Sequence, residues 1–323
     1  VTSRPETIRM YLDVLKLEID RTARLLGADR PVVQVHWGGG TPTYLSPDQI
    51  EEVGAHLRSR FEIAPDAEWG IEADPRGLTR EHLEAARNVG ANRLSVGVQD
   101  FDREVQEAIN RVQPKELTDR AVRWSRELGY RSLNLDLVYG LPHQDVASFA
   151  RTLEAVRTLR PDRIALFSYA HVPSIMQHQQ LIPEAALPEP EEKLDLFTSA
   201  VEDLTERGRY RYIGLDHFAL PEDELARAQE EGTLWRNFQG YSTRADADVL
   251  AFGISGIHQL AGAYAQNEKG LKEYYAAVRG ERSSGHSSAG RDGAGSGDRG
   301  ARRPSAPAGA PPVYRGYRLS RDD

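Results

Sequence analysis

Strand patterns and helix patterns alternate along the middle of this chain, and that alternation restricts the fold more than any other feature of the sequence. Short runs rich in valine, isoleucine and leucine are followed by longer segments whose apolar residues recur at helical spacing. The patterns predict strands over 32–37, 68–73, 93–98, 132–139 and 163–169, with helices over 47–60, 79–89, 102–109, 115–128 and 146–159. Alternation at this spacing is typical of βαβ units, so we expect a parallel sheet that is either doubly wound or barrel-like.

The residues at the predicted strand ends favour a barrel. Nearly every strand ends in glycine or polar residues, among them 38–40, Glu72, Gln99, Asp136 and His171. The carboxyl ends of the strands build the active site in α/β barrels, whereas a doubly wound sheet concentrates its site at one switch point. Polar ends spread along the chain therefore indicate a site ringed by strands.

A glycine triplet at 38–40 is the most distinctive local feature. It follows the apolar run 32–37 and precedes a serine N-cap, Ser46, with Pro47 at the first helical position. A strand that stops at bare backbone lets a ligand approach amide groups that side chains would otherwise cover. The triplet fits neither GxGxxG nor GxxxxGK[ST], the common nucleotide-binding motifs. A tight strand-to-helix turn without a ligand is the alternative.

Composition excludes several classes of function. The chain has 323 residues, no cysteine and a formal net charge of −8. Without cysteine it cannot form disulfides, thiolate metal sites or cysteine nucleophiles. The acidic balance argues against nucleic acid as the main partner, and no apolar run approaches the roughly 18 residues that a membrane span needs. The length suits one large domain or two modest ones.

The two ends of the chain depart from the alternating pattern. The sequence predicts an amphipathic helix over 4–27. After 173 it predicts helices over 187–207 and 221–231, a strand over 210–215 and an irregular segment over 234–243, and residues 271–278 close the ordered part. Residues 280–312 consist mostly of Ser, Gly, Ala, Arg and Pro, so we predict that they are disordered. Residues 313–323 again contain tyrosine, valine and leucine, as a folded segment would.

Several sequence blocks, in order and at family-like spacing, resemble a known family. They are HWGGGTPTYLSP (36–47), IEADPR (71–76), NRLSVGVQDFDREVQEAINRVQP (92–114), NLDLVYGLPHQ (134–144), FSYAHVPS (167–174), DHFALPEDELARAQEEGTLWRNFQGYST (216–243) and YAQNEKGLKEYY (264–275). Over residues 1–280 the chain resembles the oxygen-independent coproporphyrinogen III dehydrogenases, which are radical S-adenosylmethionine (SAM) enzymes of heme biosynthesis. The related heme chaperones share GGGTP and GLP, but DPR, VQDF and the 216–243 block are similar to the dehydrogenase.

This resemblance implies a fold, a domain layout and a reaction. The fold is a partial (β/α) barrel of the radical SAM type that lacks the first strand and the cluster loop. Residues 1–279 would form the barrel with its carboxyl-terminal extension, 280–312 a disordered insert, and 313–323 the start of a truncated carboxyl-terminal segment. The implied enzyme converts coproporphyrinogen III to protoporphyrinogen IX by oxidative decarboxylation. It would be a cytoplasmic monomer with a tetrapyrrole substrate and an electron donor, and without nucleic acid or membrane partners.

The resemblance also implies which residues contact SAM. The matching positions are Gly39, Gly40, Thr41, Glu72, Gln99, Arg111, Asp136, Ala170 and Ile257. The glycine backbone would meet the methionyl part of SAM, and the Glu72 carboxylate would hold the ligand. Without the resemblance, most of these positions are ordinary polar strand ends, and Ala170 and Ile257 are packing residues.

The histidines carry a weaker signal. We expect a structural role rather than ligand binding for each of four of them: His36, His171, His217 and His258. The pair 216–217 together with Arg236 is a candidate contact for the propionates of the substrate that the resemblance implies.

The sequence departs from the family at its defining motif, CxxxCxxC, which is absent. Three thiolates of that motif hold a [4Fe–4S] cluster and leave one iron open for SAM, and the cluster supplies the electron for radical formation. In the family the motif lies just ahead of the helix with which this chain begins. We therefore expect a chain truncated upstream of the motif and inactive as it stands. The alternative is a cluster-free relative that binds heme, porphyrin or a nucleoside, like the heme chaperones.

Overall fold

A computed structural model describes residues 4–26, 30–245, 247–260 and 263–281 of the chain. These residues fall into two compact units. The first is formed by residues 30–245, and the second by residues 4–26 together with the described residues from 247 onward. The predictions for 282–312 and 313–323 lie outside the described residues, and so does the helix stop expected at Gly27. The predicted domain layout therefore stays a prediction.

The described residues of the two units form nine α-helices and eleven strands, which alternate through most of the first unit. In chain order the α-helices are α1 (Pro5–Leu26), α2 (Pro47–Arg60), α3 (Arg80–Val89), α4 (Arg103–Ala108), α5 (Lys115–Glu127), α6 (Val146–Leu159), α7 (Pro190–Glu202), α8 (Glu224–Glu231) and α9 (Leu271–Arg279). The strands are β1 (Val32–Trp37), β2 (Ile63–Ala73), β3 (Arg93–Gln99), β4 (Ser132–Tyr139), β5 (Arg163–Ser168), β6 (Arg211–Gly214), β7 (His217–Ala219), β8 (Trp235–Asn237), β9 (Gly240–Ser242), β10 (Ile257–Leu260) and β11 (Ala263–Gln266). Of these elements, α1, β10, β11 and α9 belong to the second unit.

The first seven strands form one sheet in the order β1-β2-β3-β4-β5-β7-β6. Neighbours from β1 to β5 are parallel, whereas β7 is antiparallel to both β5 and β6. The sheet curls into a half-barrel carrying helices. The prediction of a partial (β/α) barrel is thus confirmed, although the sequence did not predict the antiparallel strands at one edge.

The two faces of this sheet differ because successive side chains of a strand point to opposite sides. On β3, Leu94, Val96 and Val98 are buried and join the main hydrophobic core. The alternate residues of β3 and β4 are only half-buried, as Ser95 and Asn134 illustrate. Helices cover the apolar face, so the polar face lines the inside of the half-barrel.

Local sequence signals explain most of the element boundaries. At the start of α2, Ser46 and Gln49 cap each other, with Ser46 Oγ accepting from the Gln49 amide at 3.3 Å. At the end of α3, Gly90 adopts a φ of +115°, a conformation that glycine accommodates without strain. The bounds predicted for α2, β4 and α6 are confirmed.

Several boundaries differ from the prediction. β2 begins at Ile63 rather than at 68, because its irregular register with β1 places 63–67 in the sheet as well. The helix predicted over 187–207 is α7, followed by a π-helical turn over Asp203–Arg207. The irregular segment predicted over 234–243 is wrong, since β8 and β9 pair there as an antiparallel hairpin.

The second unit is built around a buried carboxyl group, Glu18 of α1. The carboxylate accepts hydrogen bonds from the Gly253 amide at 2.8 Å, Asn267 Nδ2 at 2.7 Å and the Tyr274 hydroxyl at 2.8 Å. Burial raises the pKa of Glu18, and these hydrogen bonds oppose the rise. One carboxyl thereby joins α1, the β10 region and α9. Among the helices described in either unit, none is both long and apolar enough for a membrane span.

Candidate functional site

The loop after β1 brings bare backbone to the carboxyl ends of the parallel strands. Gly38, Gly39 and Gly40 are exposed there, and Gly39 has a φ of +95°. A Cβ on Gly38 would lie 2.5 Å from Glu72 Oε1 and 2.6 Å from His36 Nε2, so a side chain there would displace both groups. A Cβ on Gly39 would meet no atom within 4 Å. Gly38 therefore packs against the Glu72 and His36 side chains, whereas the space beside Gly39 is open.

His36 and Glu72 form a polar pair beside this loop. His36 is paired in the sheet with Gly70, which leaves room for the imidazole, and its Nε2 lies 3.0 Å from Glu72 Oε1. The two side chains remain 45% and 40% exposed, so a ligand can reach the carboxylate. Although the sequence did not predict the Glu72 partner, a hydrogen-bonded histidine is compatible with the structural role expected for His36. Its position two residues before the glycine triplet is the signal that could have revealed this contact.

Asp136 of β4 lies at the centre of a hydrogen-bonded cluster on the polar face. Its Oδ2 accepts from Ser95 Oγ at 3.1 Å, and its Oδ1 accepts from Asn134 Nδ2 at 2.6 Å. Burial raises the pKa of Asp136 to about 6. The two hydrogen bonds oppose this rise, and the nearby Glu72 carboxylate adds to it. Sequence reasoning missed Ser95 and Asn134, although polar residues at every second strand position could have indicated them.

Gln99 is the last residue of β3, and the side chain of Arg111, which follows α4, contacts the same strand end. Gln99 has a φ of +66° where the pairing of β3 with β4 shifts register. Arg111 Nη2 donates to the Gly97 carbonyl at 3.1 Å, and its Nη1 lies 3.2 Å from Asp74 Oδ2. Burial lowers the pKa of Arg111, while the Asp74 carboxylate opposes that change. The Arg111 Nε is buried without a hydrogen-bond partner among the described residues, so a polar group is left for a ligand or water.

The remaining predicted residues fall in three different places. Thr41 precedes a short 3₁₀ turn over Pro42–Tyr44, and its carbonyl accepts from the Tyr44 amide at 2.9 Å. Ala170 is exposed just after β5, and its carbonyl accepts from Gln179 Nε2 at 3.0 Å. Ile257 opens β10 in the second unit, where it is half-buried. The first unit therefore brings together the glycine loop, Glu72, Gln99, Arg111 and Asp136, with Ala170 at a further strand end.

Ion pairs occupy the opposite, amino-terminal end of the polar face. Glu68 Oε2 lies 3.1 Å from Arg93 Nε, and Arg93 Nη2 lies 2.5 Å from Glu224 Oε1. Arg163 continues the network, with its Nε 2.9 Å from Asp223 Oδ2 and its Nη2 3.2 Å from Glu224 Oε1. Sequence reasoning missed this network, because its members come from separate strands and a helix. Charged side chains thus fill that end, and the carboxyl end is the accessible one.

Comparisons with known proteins agree with this architecture. Residues 4–156 match the model of the Radical SAM superfamily. The chain is 49% identical over 278 residues to the oxygen-independent coproporphyrinogen III oxidase of Escherichia coli (strain K12), a match that covers 86% of this chain and 60% of the relative. The enzyme of the same description from Synechocystis is 45% identical over 278 residues, covering 86% of this chain and 59% of the relative.

A solved structure of a relative gives the same result. Coproporphyrinogen III oxidase (HemN) from Escherichia coli, described as a radical SAM enzyme, superposes with a TM-score of 0.84 at 48% identity. The match covers 87% of this chain and 64% of that one. The chain therefore spans about 60% of the length of the curated relatives that it matches. These matches confirm two predictions from the sequence. The first is the homology to the oxygen-independent coproporphyrinogen III enzymes, and the second is the partial barrel of the radical SAM type.

Proposed function

We propose that this chain, a homologue of the oxygen-independent coproporphyrinogen III oxidases, forms the SAM-binding and substrate-binding part of such an oxidase. The observation that carries the proposal is the glycine loop held against Glu72 and His36 at the carboxyl ends of the strands. Carboxyl strand ends are where barrel enzymes bind their ligands. The ion pairs at the other end leave this end as the accessible part of the polar face.

The groups present fit SAM, which carries an amino acid zwitterion, a ribose and an adenine. Gly39 and Gly40 are exposed, and a Cβ on Gly39 would meet no atom within 4 Å, so their backbone amides can supply donors for the carboxylate. Glu72 supplies an acceptor for an ammonium or hydroxyl group. Asp136 offers a second acceptor nearby, and Arg111 Nε, which has no partner in the described part of the chain, offers a further donor. We assign Gln99 and Thr41 to the same site as further polar contacts, with Ala170 as an apolar one. Ile257 lies in the second unit and stays a SAM contact implied by the resemblance.

The residues do not fit a [4Fe–4S] cluster. Such a cluster needs thiolate ligands, and the chain contains no cysteine. Among the described residues, moreover, no group of three or more His, Asp or Glu side chains could hold a metal ion. The 323 residues by themselves are therefore assigned to binding SAM, without cleaving it.

The homologues' name gives the proposed substrate, and the family resemblance implies the reaction. In such an oxidase two propionate side chains of coproporphyrinogen III lose carbon dioxide and hydrogen and become the vinyl groups of protoporphyrinogen IX, a step of heme biosynthesis. The polar face between Glu72 and Asp136 is the region that we assign to this chemistry. The proposal also holds that the oxidase is a cytoplasmic monomer and that it takes electrons from a separate donor.

Calorimetric titration with SAM tests the site directly. Glu72→Gln keeps the shape of the side chain and removes its charge. A charge-assisted hydrogen bond contributes about 1.5–3 kcal/mol, so SAM affinity should fall about 10-fold to 100-fold. Gly39→Val should abolish binding, because its side chain enters the open space beside the loop. Glu154→Gln changes an exposed carboxylate on α6 and serves as the control. If Glu72→Gln and Gly39→Val bind SAM as the parent does, the loop is only a turn.

The lack of cysteine favours a second function, a cluster-free protein that binds a tetrapyrrole or a nucleoside without catalysis. The discriminating experiment supplies SAM, a strong reductant and coproporphyrinogen III anaerobically, after treatment of the chain with iron and sulfide. Tetrapyrrole binding by a chain that does not bind SAM would support the binding protein, whereas binding of both ligands without formation of deoxyadenosine would support the first assignment. A stoichiometric cluster with formation of deoxyadenosine would exclude the binding protein and would also contradict the assignment of this chain to binding alone.

A further inference from the structure

A row of residues on the polar face runs from Asp136 to His217. In the sheet, Asp136 of β4 pairs with Ala165 of β5, which pairs with His217 of β7. Residues paired across neighbouring strands present their side chains on the same face. Strands lie about 4.8 Å apart, so the backbones at Asp136 and His217 are separated by about 10 Å. Ala165, which lies between them, is buried and carries only a methyl group.

His217 has aromatic neighbours and an unsatisfied nitrogen. Its ring makes edge contacts with Phe167, at 6.5 Å between centroids, and with Tyr241, at 5.6 Å. Its Nδ1 is buried and has no hydrogen-bond partner within the described part of the chain. Buried polar atoms are nearly always paired, so an orphaned one points to a ligand or a water molecule. Burial lowers the pKa of His217, and the neutral ring keeps one N–H as a donor.

An unpaired cation lies beside this histidine. Arg236 of β8 is exposed and forms no ion pair with any described residue. It is paired in the hairpin with Tyr241, whose ring contacts His217, so Arg236 and Tyr241 share one face of the hairpin. Arg236 is also close enough to disfavour the charged form of the His217 ring, which contributes to the lowered pKa of that ring. A guanidinium and an imidazole N–H next to aromatic rings suit a carboxylate attached to an aromatic ligand.

We propose that His217 and Arg236 form a carboxylate subsite, which binds one propionate of a tetrapyrrole while Phe167 and Tyr241 pack against its pyrrole rings. The subsite rests on the proposed function for the identity of the ligand. It lies about two strands from Asp136, on the same face, so a propionate bound there would place another part of the tetrapyrrole toward the proposed SAM site. The role is binding and orientation of the substrate, and no bond changes at this subsite.

Fluorescence titration with coproporphyrin III, a stable tetrapyrrole with four propionates, tests the subsite. His217→Phe keeps the aromatic packing and removes the donor, and Arg236→Gln removes the charge. Each variant should bind coproporphyrin III about tenfold more weakly. His217→Asn, whose amide offers a donor close to the position of Nδ1, should stay within about threefold of the parent. Arg131→Gln, an exposed arginine just before β4 at the opposite strand ends, is the matched control and should bind like the parent.

Coproporphyrin III tetramethyl ester separates a carboxylate subsite from a structural role. The ester has no carboxylate, so the parent, His217→Phe and Arg236→Gln should bind it equally. The proposal is overturned if both variants bind the free acid like the parent, or if they lose affinity for acid and ester alike. A parent chain that binds SAM but not coproporphyrin III also overturns the subsite and leaves the SAM site standing. Variants sensitive to the free acid in a chain that does not bind SAM would support the subsite and refute the SAM assignment.

Discussion

Asp136 is a half-buried carboxyl group, and replacing it with asparagine should stabilise the chain at neutral pH. Asparagine can keep both contacts, since its oxygen can accept from Asn134 and its amide can donate to Ser95 Oγ. The change removes only the charge that burial and Glu72 disfavour. The site thus holds a carboxylate at a cost to stability, as functional sites often do.

The magnitude follows from the pKa of the carboxyl group. Its pKa is about 6 in the folded chain and has an ordinary value of 3.8 when unfolded. Because the folded state holds the proton more tightly, the carboxyl group stabilises the fold most below about pH 3.8, and this contribution is lost as pH rises through about 6. Each pKa unit corresponds to about 1.4 kcal/mol, so Asp136→Asn should gain about 3 kcal/mol at pH 7.5 and only about half of that at pH 5.

Urea unfolding of the parent and of Asp136→Asn at these two pH values measures both quantities. Asp195→Asn removes an exposed carboxylate from α7 and is the control, for which we expect a change within about 0.5 kcal/mol. A gain that is the same at pH 5 and pH 7.5, or a loss at both, would refute the reasoning. The first result would mean that the charge is not the cause, and the second that asparagine does not satisfy the two hydrogen bonds.

Three further substitutions test the fold. Leu135→Ala opens a cavity in a fully buried part of β4 and should destabilise the chain by about 2–5 kcal/mol in urea unfolding; a loss below 1 kcal/mol would contradict this core assignment. Gly39→Ala should lower the free energy of unfolding by about 1–2 kcal/mol, because Gly39 has a positive φ. Gly77→Ala is the control and should be nearly neutral, since Gly77 also has no atom near its Cβ but no positive φ. Equal effects of the two substitutions would rule out backbone strain at Gly39. Glu18→Ala leaves three buried donors without their acceptor and should destabilise the second unit by at least about 1–3 kcal/mol. Faster amide hydrogen exchange in α9 should report this loss. Unchanged exchange would show that Glu18 does not hold the elements of the second unit together.

Sequence patterns predicted the parts of the fold that local chemistry controls. The capping residues Ser46 and Gln49 and the proline at the first helical position set the start of α2, and apolar periodicity set β4 and α6. The glycine triplet predicted bare backbone at a strand end, and the structure places it there. In these cases the signal and the structure lie within a few residues of each other.

Features that depend on distant residues could not be predicted in this way. The partners of Asp136 include Ser95 from the neighbouring strand, and the pairing of β3 with β4 brings the two together. The β8–β9 hairpin turns at Phe238 and Gln239, and Gly240, which opens β9, has a φ of +140°. The surrounding aromatic and amide residues nevertheless show no strand alternation. His217 stands in the Asp136 row only because β7 adds antiparallel to β5. Strand order supplied these contacts, and one sequence contains little information on strand order.

The central claim is that SAM binds at the carboxyl ends of β1 to β4, and a crystal structure of this chain grown with SAM tests it most directly. The account predicts electron density for SAM beside the glycine loop, in contact with Gly39 and Glu72 and within reach of Asp136 and Arg111. Density for SAM at any other place on the first unit, with this loop unoccupied at saturating ligand, would contradict the account.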